Sequence, residues 1–210
     1  MNFDRIAPYY DFLASLVFFG AIKRSQVENL RIIPPKGKVL IIGGGTGWII
    51  PYIFEGGQVE KLHYVEASQK MLEMAQKKCP EEFLGKVEFI LGDETAISDV
   101  NFDAIITNFF LDCFEEERLK EIMKILYGHL KEGGHWFVTD FQIDQKWYRR
   151  IWQNPLLKLM FIFLKLNSKL ESGYLVDFDS IFDGFGMGVL SEKRYFGGFV
   201  KSNVRERGSA

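Results

Sequence analysis

A mostly parallel α/β sheet with helices on both faces is the fold class this sequence predicts, and three observations predict it. Val39-Leu40-Ile41-Ile42 is a short apolar, mostly β-branched run, and Gly43-Gly44-Gly45-Thr46-Gly47 follows it as a glycine turn. From there to Asp140, strand-like and helix-like segments alternate, the pattern of parallel strands joined by crossover helices. Near the end, the runs 188–196 and 199–204 flank Gly197-Gly198, a tight-hairpin signal. Five strands and the hairpin make a seven-stranded sheet with an antiparallel terminal pair. At 210 residues the chain is one domain. It divides into an N-terminal helical lid (1–33), a core (38–140), an apolar helical segment (144–175) and the hairpin (186–204).

Composition narrows the class. The net charge of −2 carries no nucleic-acid footprint. Cys79 and Cys113 are isolated, and His63, His129 and His135 lack ligand spacing, so neither a disulfide framework nor a metal site is expected. There is no leader-like start, since Asp4 and Arg5 interrupt it, and no apolar run spans a bilayer. A cytoplasmic protein is the expectation. Aromatics make up 15% of residues, with 20 Phe. That excess suits a core, and also an apolar substrate site.

Residues 2–31 read as helical, with Pro8 at a helix start and a second helix from Ala21 to Leu30 before Pro34-Pro35. The glycine turn opens a helix running to about Phe54, which Gly56-Gly57 stop. Glycine permits positive φ and close ligand approach, and a helix start offers unpaired N–H donors. Residues 61–65 form the next strand, with Glu66 at its carboxyl end, 19 residues after Gly47. That is where a carboxylate would hold a ribose, accepting from both cis hydroxyls. Ala67-Ser68 lead into a helix with Met71, Leu72 and Ala75 on one face. A third strand covers 86–91, closed by Gly92-Asp93-Glu94-Thr95, and a fourth covers 101–107. Asn108-Phe109-Phe110-Leu111-Asp112-Cys113-Phe114 follows at its carboxyl end, where ligands of open α/β sheets sit. Glu115 to Leu130 is a helix with a single apolar face, ended by Lys131-Glu132-Gly133-Gly134 before strand 135–140. The stretch 146–170 is a helix apolar on most sides, broken only by Lys158 and Lys165 in its second half. Burial between sheet and lid is expected. A greasy substrate wall, a homodimer face or membrane-surface contact through 155–166 are the alternatives. From Arg205 onward the chain reads as polar and loose.

The spacing separates nucleotide classes. A dinucleotide turn, G-x-G-x-x-G, would need glycine where Trp48 stands. The G-x-G-x-G of Gly43, Gly45 and Gly47 instead resembles the first motif of the class I S-adenosylmethionine-dependent methyltransferases, with their Rossmann-like fold. Asp4-Arg5-Ile6-Ala7-Pro8-x-Tyr10-Asp11 resembles the N-terminal lid of quinone- and lipid-type small-molecule members. The resemblance implies S-adenosylmethionine as cofactor. It implies contact from Tyr10 above, from Gly43, Gly44, Gly45, Thr46 and Gly47, and from Glu66, Ala67 and Met71. Asp93 would mark the adenine amino group with Glu94 and Thr95 beside the ring, and Asn108 and Phe109 would close the set. Tyr9, Phe110, Phe141 and Tyr148 are the candidate acceptor contacts. The family departs from this chain at Ile41, where an acidic residue often stands. Gly43-Gly44-Gly45 also resembles aminopropyltransferases, whose aspartate is replaced by Thr46 and whose paired-aspartate acceptor site has no match.

A sulfonium methyl is already activated, so the protein has mainly to hold a small lipophilic or aromatic acceptor in line. A general base is needed only if the acceptor loses a proton, and Asp112, Asp140 and Tyr10 are the catalytic candidates. A methyltransferase-like binding protein without catalysis is the alternative that Ile41 favours.

Overall fold

The computed structural model describes residues 20–56, 58–98, 101–144, 146–167 and 173–208. Tyr9, Tyr10 and the rest of 1–19 lie outside the described residues. In strand β1, Lys38–Ile42, successive side chains leave on opposite faces. Leu40 and Ile42 join one core cluster, and Val39 and Ile41 join the other. Burial on both faces is why the strand is apolar without alternation. The other strands are β2 (Lys61–Glu66), β3 (Val87–Leu91), β4 (Phe102–Asn108), β5 (Leu130–Phe141), β6 (Gly188–Tyr195) and β7 (Val200–Glu206). Their order in the seven-stranded sheet is β3-β2-β1-β4-β5-β7-β6. Strands β1 to β5 run parallel, and β7 runs antiparallel to both β5 and β6. The sequence-predicted sheet is therefore present, terminal hairpin included.

Helices α1 (Ala21–Val27), α2 (Ile50–Gly56), α3 (Gln69–Lys78), α4 (Glu81–Leu84), α5 (Glu116–His129), α6 (Trp147–Asn167) and α7 (Phe178–Gly184) complete the described elements. Helix α5 lays Leu119, Ile122, Met123 and Leu126 against the sheet with no exposure. Each contributes roughly 2 kcal/mol by burial. Helices α5 and α7 cover the face of Leu40 and Trp136. Helices α2 and α3 cover the face of Ile41 and Tyr64.

Four expectations are corrected. The second helix ends at Val27, and a short 3-10 turn at Leu30–Ile32 replaces its last part. Lys131–Gly134 is not a helix stop but the first part of β5, which bulges there against β4. Gly133 takes φ +68°, and its N–H donates to the Arg207 carbonyl at 2.8 Å. Helix α6 is not wrapped on most sides: Gln153 and Phe161 are buried, whereas Ile151 and Leu159 are 66% and 63% exposed. An amphipathic helix needs only one covered face, and composition alone does not show how much the sheet covers.

The fourth correction is the tail, which through Arg207 is not loose. Arg205 is 4% exposed in β7 and donates to Asp183 at 2.7 Å and Asp179 at 2.9 Å, both on α7. Lys201 also pairs with Asp179. Alternate β7 residues Lys201, Asn203 and Arg205 thus pin α7 to the sheet, a pattern legible only once β7 is known to be interior. Arg205→Ala is expected to lower unfolding free energy by about 2 kcal/mol, less than a fully buried pair because Asp183 is solvated. Urea titration measures it.

Candidate active site

The site is built at the carboxyl ends of β1, β2, β3 and β4. After Ile42 the chain turns through Gly43, Gly45 and Gly47, each at positive φ. Packing demands glycine at positions 44 and 47 of the turn. A Cβ on Gly44 would sit 2.3 Å from the ring of Tyr64, which is fully buried, and one on Gly47 would sit 2.5 Å from the Ala75 backbone. Gly45 differs. Its φ is +69°, and nothing lies within 4 Å of where its side chain would be. That position gives a ligand direct access to the main chain.

Glu66 organises this opening. Its carboxylate is 5% exposed, and its two oxygens accept from Gly45 N–H and Ser68 N–H, each at 2.8 Å. Burial pushes the carboxyl's pKa up, and these N–H donors pull it back. The Ala67 N–H adds to them, and a carboxylate with about four lone-pair sites still has capacity for a further donor. The carboxylate missing at Ile41, which is 2% exposed in the core, is thus answered from the next strand. Tyr64 braces the same turn by donating its hydroxyl to the Gly45 carbonyl at 3.1 Å. Sequence reasoning missed Tyr64, although its place two residues before Glu66 puts both on one face of β2.

The other predicted contacts sit at the carboxyl ends of β1 to β4 and the start of α3. Thr46 is buried and accepts from Lys78 Nζ at 3.1 Å. Ala67 is exposed and Met71 buried, and Ser68 caps α3 by accepting from Met71 N–H at 3.2 Å. Asp93 is exposed beyond β3, where it accepts from the N–H and hydroxyl of Thr95 at 3.0 and 2.6 Å. The Thr95 bonds hold its carboxyl below the ordinary range. Glu94 is different: it is 2% exposed and paired with Arg118 of α5. That partner lies 24 residues away in the chain, and no local pattern pointed to it. At the end of β4, Asn108 Nδ2 is enclosed without a hydrogen-bond partner among the described residues.

The loop after Asn108 carries the aromatics. Phe109 takes φ +51° and packs tilted against Phe141, ring centres 4.7 Å apart. Phe110 lies over Gly43, where a Cβ would meet its ring at 2.7 Å. Phe141 packs with Phe199 and, through Leu156, Leu157 and Met160, with the inner face of α6. Tyr148 does not join them: it is 51% exposed on the outward side of α6, beside Trp147.

Asp112 and Asp140 come together beneath this loop, at 7% and no exposure. Asp140 accepts from the N–H groups of Leu111 at 3.2 Å, Asp112 at 3.3 Å and Phe141 at 3.1 Å. The Cys113 thiol donates to Asp112 at 3.5 Å. Burial raises both carboxyl pKa values, and Asp112 beside it pushes that of Asp140 well above the usual range. Burial and their mutual hydrogen bond favour a proton held between the two carboxyls.

The family described as a methyltransferase domain matches residues 39–134. The demethylmenaquinone methyltransferase of Thermotoga maritima is 33% identical over 131 residues, 59% of this chain and 55% of that protein. The match therefore spans about half the relative's length. A ubiquinone/menaquinone biosynthesis C-methyltransferase of Geotalea daltonii is 24% identical over 83% of this chain and 77% of its own length. Among solved structures, an O-methyltransferase family protein from Burkholderia thailandensis superposes with a TM-score of 0.73 at 16% identity, over 98% of this chain and 60% of its own. In its glycine turn and these matches the chain is similar to methyltransferases, and the solved structures share its fold.

Proposed function

We infer that the protein transfers a methyl group from S-adenosylmethionine to a small lipophilic acceptor of the quinol type. One observation carries the cofactor assignment. Gly45 faces open space at positive φ, with the Glu66 carboxylate fixed on its N–H. Asn108 Nδ2, unpaired at the end of β4, fits the same ligand. The bound cofactor would supply an activated methyl on a sulfonium. Glu66 would take the ribose hydroxyls, Asp93 and Thr95 would border the adenine, and the turn 43–47 and Asn108 the amino-acid end.

The chain's own work is then orientation and exclusion of water. Phe109 and Phe110 present ring faces and edges at the carboxyl end of β4. A cation near such rings is stabilised, and an apolar acceptor is desolvated there. Asp112 and Asp140 act as positioning groups, since their oxygens and shared proton are taken up beneath the loop. The names of the Thermotoga and Geotalea relatives favour a quinol over other apolar acceptors.

The test is release of S-adenosylhomocysteine from purified protein, S-adenosylmethionine and a reduced, demethylated naphthoquinone. Turnover with the quinol and not with polar phenols or amines is the expected result. Turnover confined to polar acceptors overturns the acceptor assignment, and failure to bind S-adenosylhomocysteine overturns the cofactor assignment.

A further inference from the structure

Helix α6 has two unlike faces. Its inner face is Gln153, Leu156, Leu157, Met160 and Phe161, packed on the sheet end with Phe109 and Phe141 close by. Its outer face exposes Trp147 by 73%, Tyr148 by 51%, Ile151 by 66%, Leu159 by 63% and Ile162 by 57%. At 100° per residue, Trp147, Ile151, Lys158, Ile162 and Lys165 fall within about 60° of one another, with Tyr148 and Leu159 on the flank of that stripe. Large apolar side chains gathered in this way mark a contact surface.

Charge identifies the occupant. Residues 146–167 hold five Lys or Arg and no Asp or Glu, in a chain whose net charge is −2. Arg149 is answered by Asp144 at 2.6 Å, while Lys146, Arg150, Lys158 and Lys165 are exposed. A second copy related by a two-fold axis would bring cationic helix onto cationic helix, with no acidic residue on either to answer it. An anionic lipid surface meets both demands, apolar depth for the stripe and negative headgroups for the lysines. Trp147 and Tyr148 are the residue types that settle at such a boundary, and long lysine stems reach back to the headgroups. No helix among the described residues is long and apolar enough to cross a membrane, so the contact lies in the plane of the surface.

We propose that α6 docks the protein on an anionic membrane surface through Trp147, Ile151, Leu159 and Ile162, with Lys158 and Lys165 on the lipid headgroups. The same helix walls the aromatic end of the site with its inner face. A lipid-dissolved acceptor would thus enter from the membrane side without crossing water. The docking stands whether or not that acceptor is a quinol.

The experiment is cosedimentation of the 210-residue chain with phosphatidylglycerol–phosphatidylcholine vesicles and with phosphatidylcholine alone, without cofactor or acceptor. Binding to the anionic vesicles, weakened by salt, is expected. Lys158→Gln with Lys165→Gln should lower partitioning roughly 30-fold. Ile151→Glu with Leu159→Glu should abolish it, with circular dichroism and the urea midpoint confirming that each variant folds. Failure of the wild-type chain to sediment with anionic vesicles at low salt overturns the proposal. So does equal sedimentation of the variants, or a dimer that Ile151→Glu disperses with no vesicle uptake by either form.

Discussion

Glu66→Ala is expected to weaken S-adenosylhomocysteine binding by about 100-fold or more, since hydrogen bonds to a charged acceptor are worth roughly 1.5–3 kcal/mol each and two ribose hydroxyls lose theirs. The loss has a second source. The carboxylate accepts from Gly45 and Ser68 N–H in the protein itself. Its removal frees the turn at Gly45, which faces open space. Glu66→Gln separates the two, because an amide keeps one oxygen acceptor and can hold part of the turn. It should bind about tenfold more weakly than wild type, consistent with losing the charge and one acceptor. Calorimetric titration of the three proteins gives the ranking. Equal affinity for wild type and Glu66→Ala would remove the ribose assignment.

Asp140→Ala is expected to be the most destabilising of the substitutions considered, by about 4 kcal/mol, because three buried N–H donors lose their acceptor. The donors belong to Leu111, Asp112 and Phe141, so the loop carrying Phe109 and Phe110 should loosen with them. Urea unfolding measures the stability change, and quinol KM against kcat reads the loop. Asp140→Asn tests the shared proton. The folded pKa values of Asp112 and Asp140 lie above ordinary ones. Their contribution is fully present below the ordinary carboxylate range and is lost as pH rises through the raised values. Wild-type stability should therefore decline as pH climbs above the ordinary carboxylate range, where the low-held carboxyls of Glu28, Asp93 and Asp179 are already ionised in both states, and Asp140→Asn should flatten that decline. A wild-type profile that rises across the same window would show two ionised carboxylates.

What was legible in the sequence had a local cause. The run 39–42 and the glycines announced a strand and a turn because β-branching and positive φ act within a few residues. Glu66 follows from its distance from that turn, and Asp93 from the family resemblance at the end of the third strand. The residues that escaped were fixed by partners far along the chain. Arg118 meets Glu94 from 24 residues away, and Arg205 meets Asp179 from 26. The sequence offers Tyr148 as an acceptor contact, but nothing local fixes which face of α6 carries it. Helix rotation sends it to the opposite side. The aspartate pair was visible as two residues at strand ends, but its meeting depended on β4 and β5 being neighbours.

Strand β7 lies between β5 and β6 although it follows β6 in the chain. During synthesis β6 emerges with no neighbour to pair with, and the far edge of β5 stays open until Val200–Glu206 slots in. Strands β1 to β5 and the glycine turn can assemble while the ribosome is still reading the later codons. A pause between the codons for β6 and β7 would leave Phe137 and Val138, buried in the finished sheet, on an unguarded edge. Such an edge recruits strands from other nascent chains. Translation speed over that short interval therefore bears on yield, and synonymous slow codons there should shift product from soluble to aggregated without altering a single side chain.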